Sequence, residues 1–232
     1  MVCGNPGGEI EREHGSFADW FVRGAPQDID LVAVDARFES LPPREEQRGF
    51  DAVIITGSPH SAYDDLPWIR QTERVARDAV TDCQPLLGVC FGHQVLAQAM
   101  GGKVIRNPRG REIGTVQVRV FDESQPGALL DGLGPVFTAQ ATHQDTVRHP
   151  PPGARVFARS SLDDCQVFNL GSAWGVQFHP EITAPIISTY IAARADVLRS
   201  ESLDADQLLA GVRETPEAAS LLARFVALSR RA

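Results

Sequence analysis

Short apolar runs alternate with stretches of helical spacing along the first hundred residues. Phe50 to Thr56 is centred on Val53-Ile54-Ile55, the pattern of a strand covered on both faces. Ile29 to Val34 reads as another strand, and Pro85-Leu86-Leu87 as a third. Between Thr56 and Pro85, Ile69, Thr72, Val75, Ala76, Ala79 and Val80 recur at helical spacing, with Arg and Glu between them. That helix is expected to start near Pro67, with Asp64 or Asp65 as its cap. Ser16-Phe17-Ala18-Asp19 predicts a further helix start, capped by the serine and with Phe17, Trp20 and Phe21 as its apolar face. Strands alternating with helices in this way predict an α/β fold, a mainly parallel central sheet flanked by helices.

Past Gly102 the texture changes. Thr115 to Phe121 alternates, with Val116, Val118 and Val120 on one face. Gly153 to Ser160, Cys165 to Leu170 and Ala173 to Phe178 read as short antiparallel strands separated by turn residues. From about Ala184 the chain turns helical, with Arg and Asp on outer faces, and is expected to pack over the sheet. Residues 1–232 therefore read as a single domain, with 184–232 as its helical C-terminal extension.

The chemistry concentrates at Gly88-Val89-Cys90-Phe91-Gly92-His93-Gln94, directly after the third strand. A strand, a Gly-x-Cys-x-Gly turn and a helix beginning near His93 would push the thiol out of the sheet edge. Small flanking residues are needed because a Cβ there would strike the folded backbone. The helix N-terminus would favour an anionic sulfur. Read alone, such a cysteine is better explained by core packing. Far downstream, Trp174-Gly175-Val176-Gln177-Phe178 ends in His179-Pro180-Glu181, where the proline holds His179 extended and sets Glu181 just beyond. A base oriented by a carboxylate is what a cysteine nucleophile requires.

With both segments in view, the chain resembles the class I, triad-type glutamine amidotransferases. Gly88 through Gln94 matches their Gly-x-Cys-x-Gly-x-Gln motif, His179-Pro180-Glu181 their His-Pro-Glu motif, and Val53-Ile54-Ile55-Thr56-Gly57-Ser58-Pro59 their strand and small-residue loop. The resemblance spans roughly residues 1 to 190. It implies a flavodoxin-like class I glutamine amidotransferase fold with a small antiparallel sheet. It also implies a cysteinyl thioester made by Cys90 from the γ-carboxamide of glutamine, with His179 as proton carrier and Glu181 holding the imidazole. The oxyanion would be met by the backbone N–H groups of Phe91 and of Ser58, which stands where the family commonly has a second glycine after Gly57. Gln94 and Gly57 are expected at bound substrate. Thr142-His143-Gln144-Asp145 resembles a His-x-Asp segment that lies near the substrate's head group, giving His143 and Asp145 a binding role; from the residues alone it is equally a solvated loop. Family members open with a complete apolar strand, whereas only Met1-Val2 precede Cys3-Gly4-Asn5 here, so a truncated first strand is expected.

Composition narrows the alternatives. With 232 residues, 43% of them hydrophobic, the chain can bury a full core, and a net charge of −8 argues against nucleic acid or an anionic membrane surface. Four cysteines without Cys-x-x-Cys spacing fit a reducing cytoplasm, and no metal or other cofactor is expected. No signal pattern or bilayer-length apolar run is present. No Gly-rich phosphate loop is found either, so ATP-dependent acceptor chemistry would come from a separate synthetase subunit. His14 and His149 read as surface residues, His93 as packing, and His60 as a border of the pocket. The alternative substrate is a larger γ-glutamyl compound, cleaved by the same residues. A catalytically silent binding protein is disfavoured by the intact Cys90, His179 and Glu181. A general α/β hydrolase is disfavoured because its acid precedes its histidine.

Overall fold

The computed structural model describes residues 1–121 and 128–231. The N-terminal half contains helices α1 (Gly8–His14), α2 (Phe17–Gly24) and α3 (Arg44–Gln47), strand β1 (Val53–Ile55), helix α4 (Pro67–Thr81), strand β2 (Leu86–Val89) and helix α5 (Phe91–Ala99). Strands β3 (Lys103–Arg106), β4 (Glu112–Val120), β5 (Val136–His143), β6 (Asp145–His149), β7 (Arg155–Arg159), β8 (Val167–Leu170) and β9 (Ala173–Val176) follow. Helices α6 (Ala184–Ala193), α7 (Ala195–Ser200), α8 (Ala205–Gly211) and α9 (Pro216–Ser229) close the chain.

The central sheet has the order β1-β2-β9-β8-β7-β4-β5, and β3 pairs with β6 in a small antiparallel sheet. Pairing is parallel from β1 through β2 to β9 and antiparallel across the remaining strands. The sheet is therefore mixed, with the parallel strands at one side. β2 carries Leu86-Leu87-Gly88-Val89 and is buried along its whole length, as expected of a strand covered on both faces. Its alternating side chains serve two cores: Leu86 packs with Ala76, Val95 and Leu96, and Leu87 and Val89 with Val118, Phe178, Leu221 and Phe225.

Local sequence explains most element ends. Ser16 and Asp19 form the expected reciprocal capping box on α2. α4 starts at Pro67 and buries Ile69, Thr72, Val75, Ala76 and Ala79, but its N-cap is Leu66, with no side-chain cap bond. The acids expected to cap it are engaged elsewhere: Asp64 accepts from Ser61 N–H at 3.1 Å, and Asp65 pairs with Arg70. Ile29 to Val34 does not form the expected strand. Its neighbour is the short Met1-Val2 segment, which pairs through a single parallel bridge, Val2 to Asp35, with Val2 N–H on the Val34 carbonyl at 2.8 Å. On its other side Met1 bonds the β1 edge, N to the Ile54 carbonyl at 2.7 Å and carbonyl to Thr56 N–H at 3.1 Å. These two residues thus bridge the sheet edge as the truncated first strand that the sequence leads one to expect.

α5 lies unusually close to the strands. A Cβ on Gly92 would collide with the Ile55 carbonyl of β1, and one on Gly88 would come 2.5 Å from the Gly92 carbonyl oxygen. Gly92→Ala is expected to lower stability by about 1–3 kcal/mol, read from the urea midpoint, because the obstructing atoms are backbone. An unchanged midpoint would mean that α5 can slide outward freely.

Candidate active site

Cys90 stands between β2 and α5. It is the N-cap of α5, with φ 52° and ψ −101°, a left-handed conformation that non-glycine residues rarely adopt. Such a conformation costs on the order of 1–3 kcal/mol and persists only where the surroundings impose it. Here the Cys90 N–H donates to the Val176 carbonyl of β9 at 2.8 Å, and its carbonyl accepts from Gln94 N–H at 3.1 Å. The helix starts at Phe91, two residues earlier than the expected His93, so the cysteine itself sits at the turn. Cys3 and Cys165 are buried thiols whose pKa burial pushes up, that of Cys3 to about 12, and Cys83 is exposed.

β9 delivers the second half of the site. Beyond it, His179 N–H donates to the Gln140 carbonyl of β5 at 2.8 Å, in an isolated antiparallel bridge. His179 Nδ1 donates to Glu181 Oε1 at 2.7 Å, with both residues buried. Burial disfavours the imidazolium, but the Glu181 carboxylate and Cys90 outweigh it and raise the His179 pKa to about 10. With Nδ1 committed to the carboxylate, Nε2 is the nitrogen left for proton transfer with Cys90. Gly57 fits between the two groups. A Cβ there would lie 3.0 Å from His179 Cε1 and 3.9 Å from Cys90 Cβ, so a side chain would press on the imidazole.

Cys90 and His179 line one cavity of about 300 Å³, together with Ser58, Gln94, His143 and Asp145. The backbone N–H groups of Ser58 and Phe91 make no hydrogen bond among the described residues, leaving both available to an oxyanion. The Gln94 amide donates to the Asp145 carbonyl at 3.2 Å and to Gln177 Oε1 at 3.0 Å. The reading of residues 142–145 as a solvated loop is corrected: His143 ends β5, Asp145 begins β6, and both are buried. His143 Nε2 lies 3.0 Å from Glu112 Oε2, and Nδ1 lies 3.0 Å from the Asp145 carbonyl. Burial opposes the His143 charge, yet the Glu112 carboxylate prevails and raises its pKa to about 9. The Asp145 carboxylate accepts from Ser61 Oγ at 2.6 Å and from Tyr63 OH at 3.1 Å, which ties the loop after β1 to the cavity floor.

His60, which follows the oxyanion loop, borders the cavity. His93 is fully buried against Phe168 at 4.8 Å between ring centroids, and burial lowers its pKa to about 3. His149 is exposed, while His14 is half-buried and bonds Thr189 Oγ1 at 2.8 Å. Sequence reasoning missed Ser61, Tyr63 and Glu112, and also Arg111 and Arg194, which line the cavity too. Glu112 alone carried a signal, a carboxylate just before an alternating apolar strand. Among the described residues no group of His, Cys, Asp and Glu could hold a metal ion, and no helix is long and apolar enough to cross a membrane. The arrangement can present a sulfur nucleophile, a carboxylate-held base and two backbone donors to a single carbonyl.

Comparison with known proteins bears on the same part of the chain. Residues 22–192 match the family model described as glutamine amidotransferase class-I. A glutamine-hydrolyzing GMP synthase subunit from Saccharolobus solfataricus is 34% identical over 152 residues, which cover 63% of this chain and 77% of that protein. Gamma-glutamyl peptidase 2 of Arabidopsis thaliana is 30% identical over 190 residues, covering 78% and 75%. The crystal structure of a glutamine amidotransferase from Thermotoga maritima superposes with a TM-score of 0.77 at 25% identity, covering 100% of this chain and 98% of that one. The motif-bearing strands, the elbow cysteine and the family match coincide, and the chain belongs to the class-I glutamine amidotransferase family.

Proposed function

We propose that this chain hydrolyses the γ-carboxamide of glutamine through a thioester on Cys90. The observation that carries the reading is the left-handed Cys90 sharing a cavity with a buried His179–Glu181 pair at 2.7 Å. Cys90 Sγ attacks the carboxamide carbon, and the carbonyl oxygen takes up negative charge facing the N–H groups of Ser58 and Phe91. His179, held in its charged form by Glu181, already carries the proton that Cys90 gives up and delivers it from Nε2 to the departing nitrogen, which leaves as ammonia. Water then adds to the thioester with His179 as base, releasing glutamate and restoring the thiol. Gly57, Gln94, His143 and Asp145 would border the bound substrate.

The naming of the GMP synthase relatives as subunits supports an acceptor on another polypeptide, to which the ammonia would pass. No cofactor is needed for the amide cleavage itself, and a reducing cytoplasm would suit the thiol. A second reading, hydrolysis of a larger γ-glutamyl compound by the same residues, is favoured by one observation. The gamma-glutamyl peptidase relative aligns over 78% of this chain, against 63% for the GMP synthase relative.

Glutamate release from glutamine by the purified chain is expected to fall by a factor on the order of 10⁴ or more in Cys90→Ala. Turnover surviving that substitution would remove Cys90 from the chemistry. Activity on γ-glutamyl dipeptides with none on glutamine would select the second reading.

Glu181→Gln removes the carboxylate that keeps His179 charged. The alkaline limb of kcat/KM, expected near pH 10 in the unaltered chain, should move to lower pH, with kcat reduced by up to about 10⁴. An unmoved limb would mean that Glu181 does not govern His179. The sign for stability follows from the same pair. Its contribution is fully present below the unfolded histidine pKa, about 6.5, and is lost as pH rises through about 10.

A further inference from the structure

Arg194 follows α6 as its C-cap and lines the cavity that holds Cys90. Among the described residues its guanidinium has no carboxylate partner. Its close neighbour is the face of Tyr190, 4.4 Å from the ring centroid. Burial disfavours its charge, and the charge of Arg111 adds to the cost. Arg111 is itself satisfied, donating through Nε and a terminal nitrogen to the two Glu201 oxygens at 2.7 and 2.9 Å. Gln144 takes a further place on Glu201, at 3.2 Å. Two guanidinium groups thus border one cavity, and the Glu201 carboxylate serves Arg111.

A partly buried cation without a counter-charge is unfavourable until something anionic completes it. The carboxylate that lines the cavity, Asp145, is already engaged by Ser61 and Tyr63. Stacking on Tyr190 restricts the guanidinium plane, so the fork is preorganised for a planar two-oxygen anion. The volume of about 300 Å³ is at the lower end for pockets that bury drug-sized ligands, which leaves room beyond a free amino acid.

We propose that Arg194 is an anion subsite of this cavity and receives a carboxylate of the γ-glutamyl substrate. The inference rests on the hydrolase reading above and deepens it by naming a specificity residue. The carboxylate has two sources: the α-carboxylate of the γ-glutamyl head, or a carboxylate on the leaving group.

Calorimetry with Cys90→Ala, which retains Arg194, reads binding without turnover. L-Glutamine, γ-glutamylglycine and γ-glutamyl methylamide serve as probes, the last lacking a leaving-group carboxylate. Adding Arg194→Gln is expected to raise Kd roughly ten- to hundredfold, and Arg194→Lys to recover part of the loss. Weakening of all three probes assigns the head carboxylate; weakening of γ-glutamylglycine alone assigns the leaving group. Kd values within about twofold for every probe, or equal losses in the Lys and Gln variants, would overturn the subsite. Should Arg194→Gln unseat Tyr190 and lower the melting temperature, the ligand side tests the same contact. In the chain with native Arg194, 4-aminobutanamide, which is glutamine without its α-carboxylate, and γ-glutamyl methylamide would then be compared with their carboxylate-bearing counterparts. Equal binding within both pairs overturns the subsite. Turnover by the unaltered chain is a separate readout, so loss of the hydrolase reading and loss of the subsite are distinguishable.

Discussion

The closeness of α5 to β1 and β2 is the constraint on which the site depends. Gly88 and Gly92 let the backbone fold back on itself at contact distance, and Cys90 between them takes a conformation that an L-residue adopts at a cost. The bond from Cys90 N–H to Val176 ties that turn to β9. β9 is also the strand that leads to His179, so one parallel pairing, β2 with β9, sets nucleophile and base relative to one another. Gly57 at the end of β1 completes the fit, because its missing side chain leaves the imidazole its place. The motif glycines are thus packing requirements of three adjacent strand ends, which is where an α/β sheet offers its ligand site.

Buried charge is the second organising element. Two of the histidines that border the cavity, His179 and His143, are each drawn to the charged form by a buried carboxylate against the opposing effect of burial. Pairs of this kind do little for stability compared with apolar packing, but they orient hydrogen-bonding groups. The Glu181 pairing fixes which imidazole nitrogen is free. The Glu112 pairing holds His143 against the carbonyl of Asp145, and Gln94 donates to that same carbonyl. Cavity floor and nucleophile helix are therefore joined through a single backbone oxygen.

Much of this was legible in the sequence because it is local. The elbow, the His-Pro-Glu turn, the capping box at Ser16 and the stripe of α4 each follow from residues within a few positions of one another. What was not legible depends on distant partners. Val136 to His143 alternates Phe137, Ala139 and Ala141 with Thr138, Gln140 and Thr142, a strand pattern that went unread because two of its three inward residues are only alanines; pairing with β4 along its whole length makes it a strand. Ile29 to Val34 has a strand's composition but takes no strand form, and the one bridge beside it joins Val2 to Asp35. Arg194 looks like one more cation on a helical face until the fold turns it into the same cavity as Cys90. Asp145 could not be placed before Ser61 and Tyr63, more than eighty positions upstream, were seen to bond it.

One thiol of four is set apart, by the elbow that carries it and the base that faces it. Treatment with a glutamine-like electrophile, followed by mass spectrometry of the digested chain, tests that distinction most directly. The expected result is an adduct on Cys90 that free glutamine suppresses, with Cys3 and Cys165 unmodified in their buried positions and exposed Cys83 reacting no faster than an ordinary thiol. Labelling of Cys83 in preference to Cys90, or labelling of Cys90 that glutamine leaves unchanged, would contradict it.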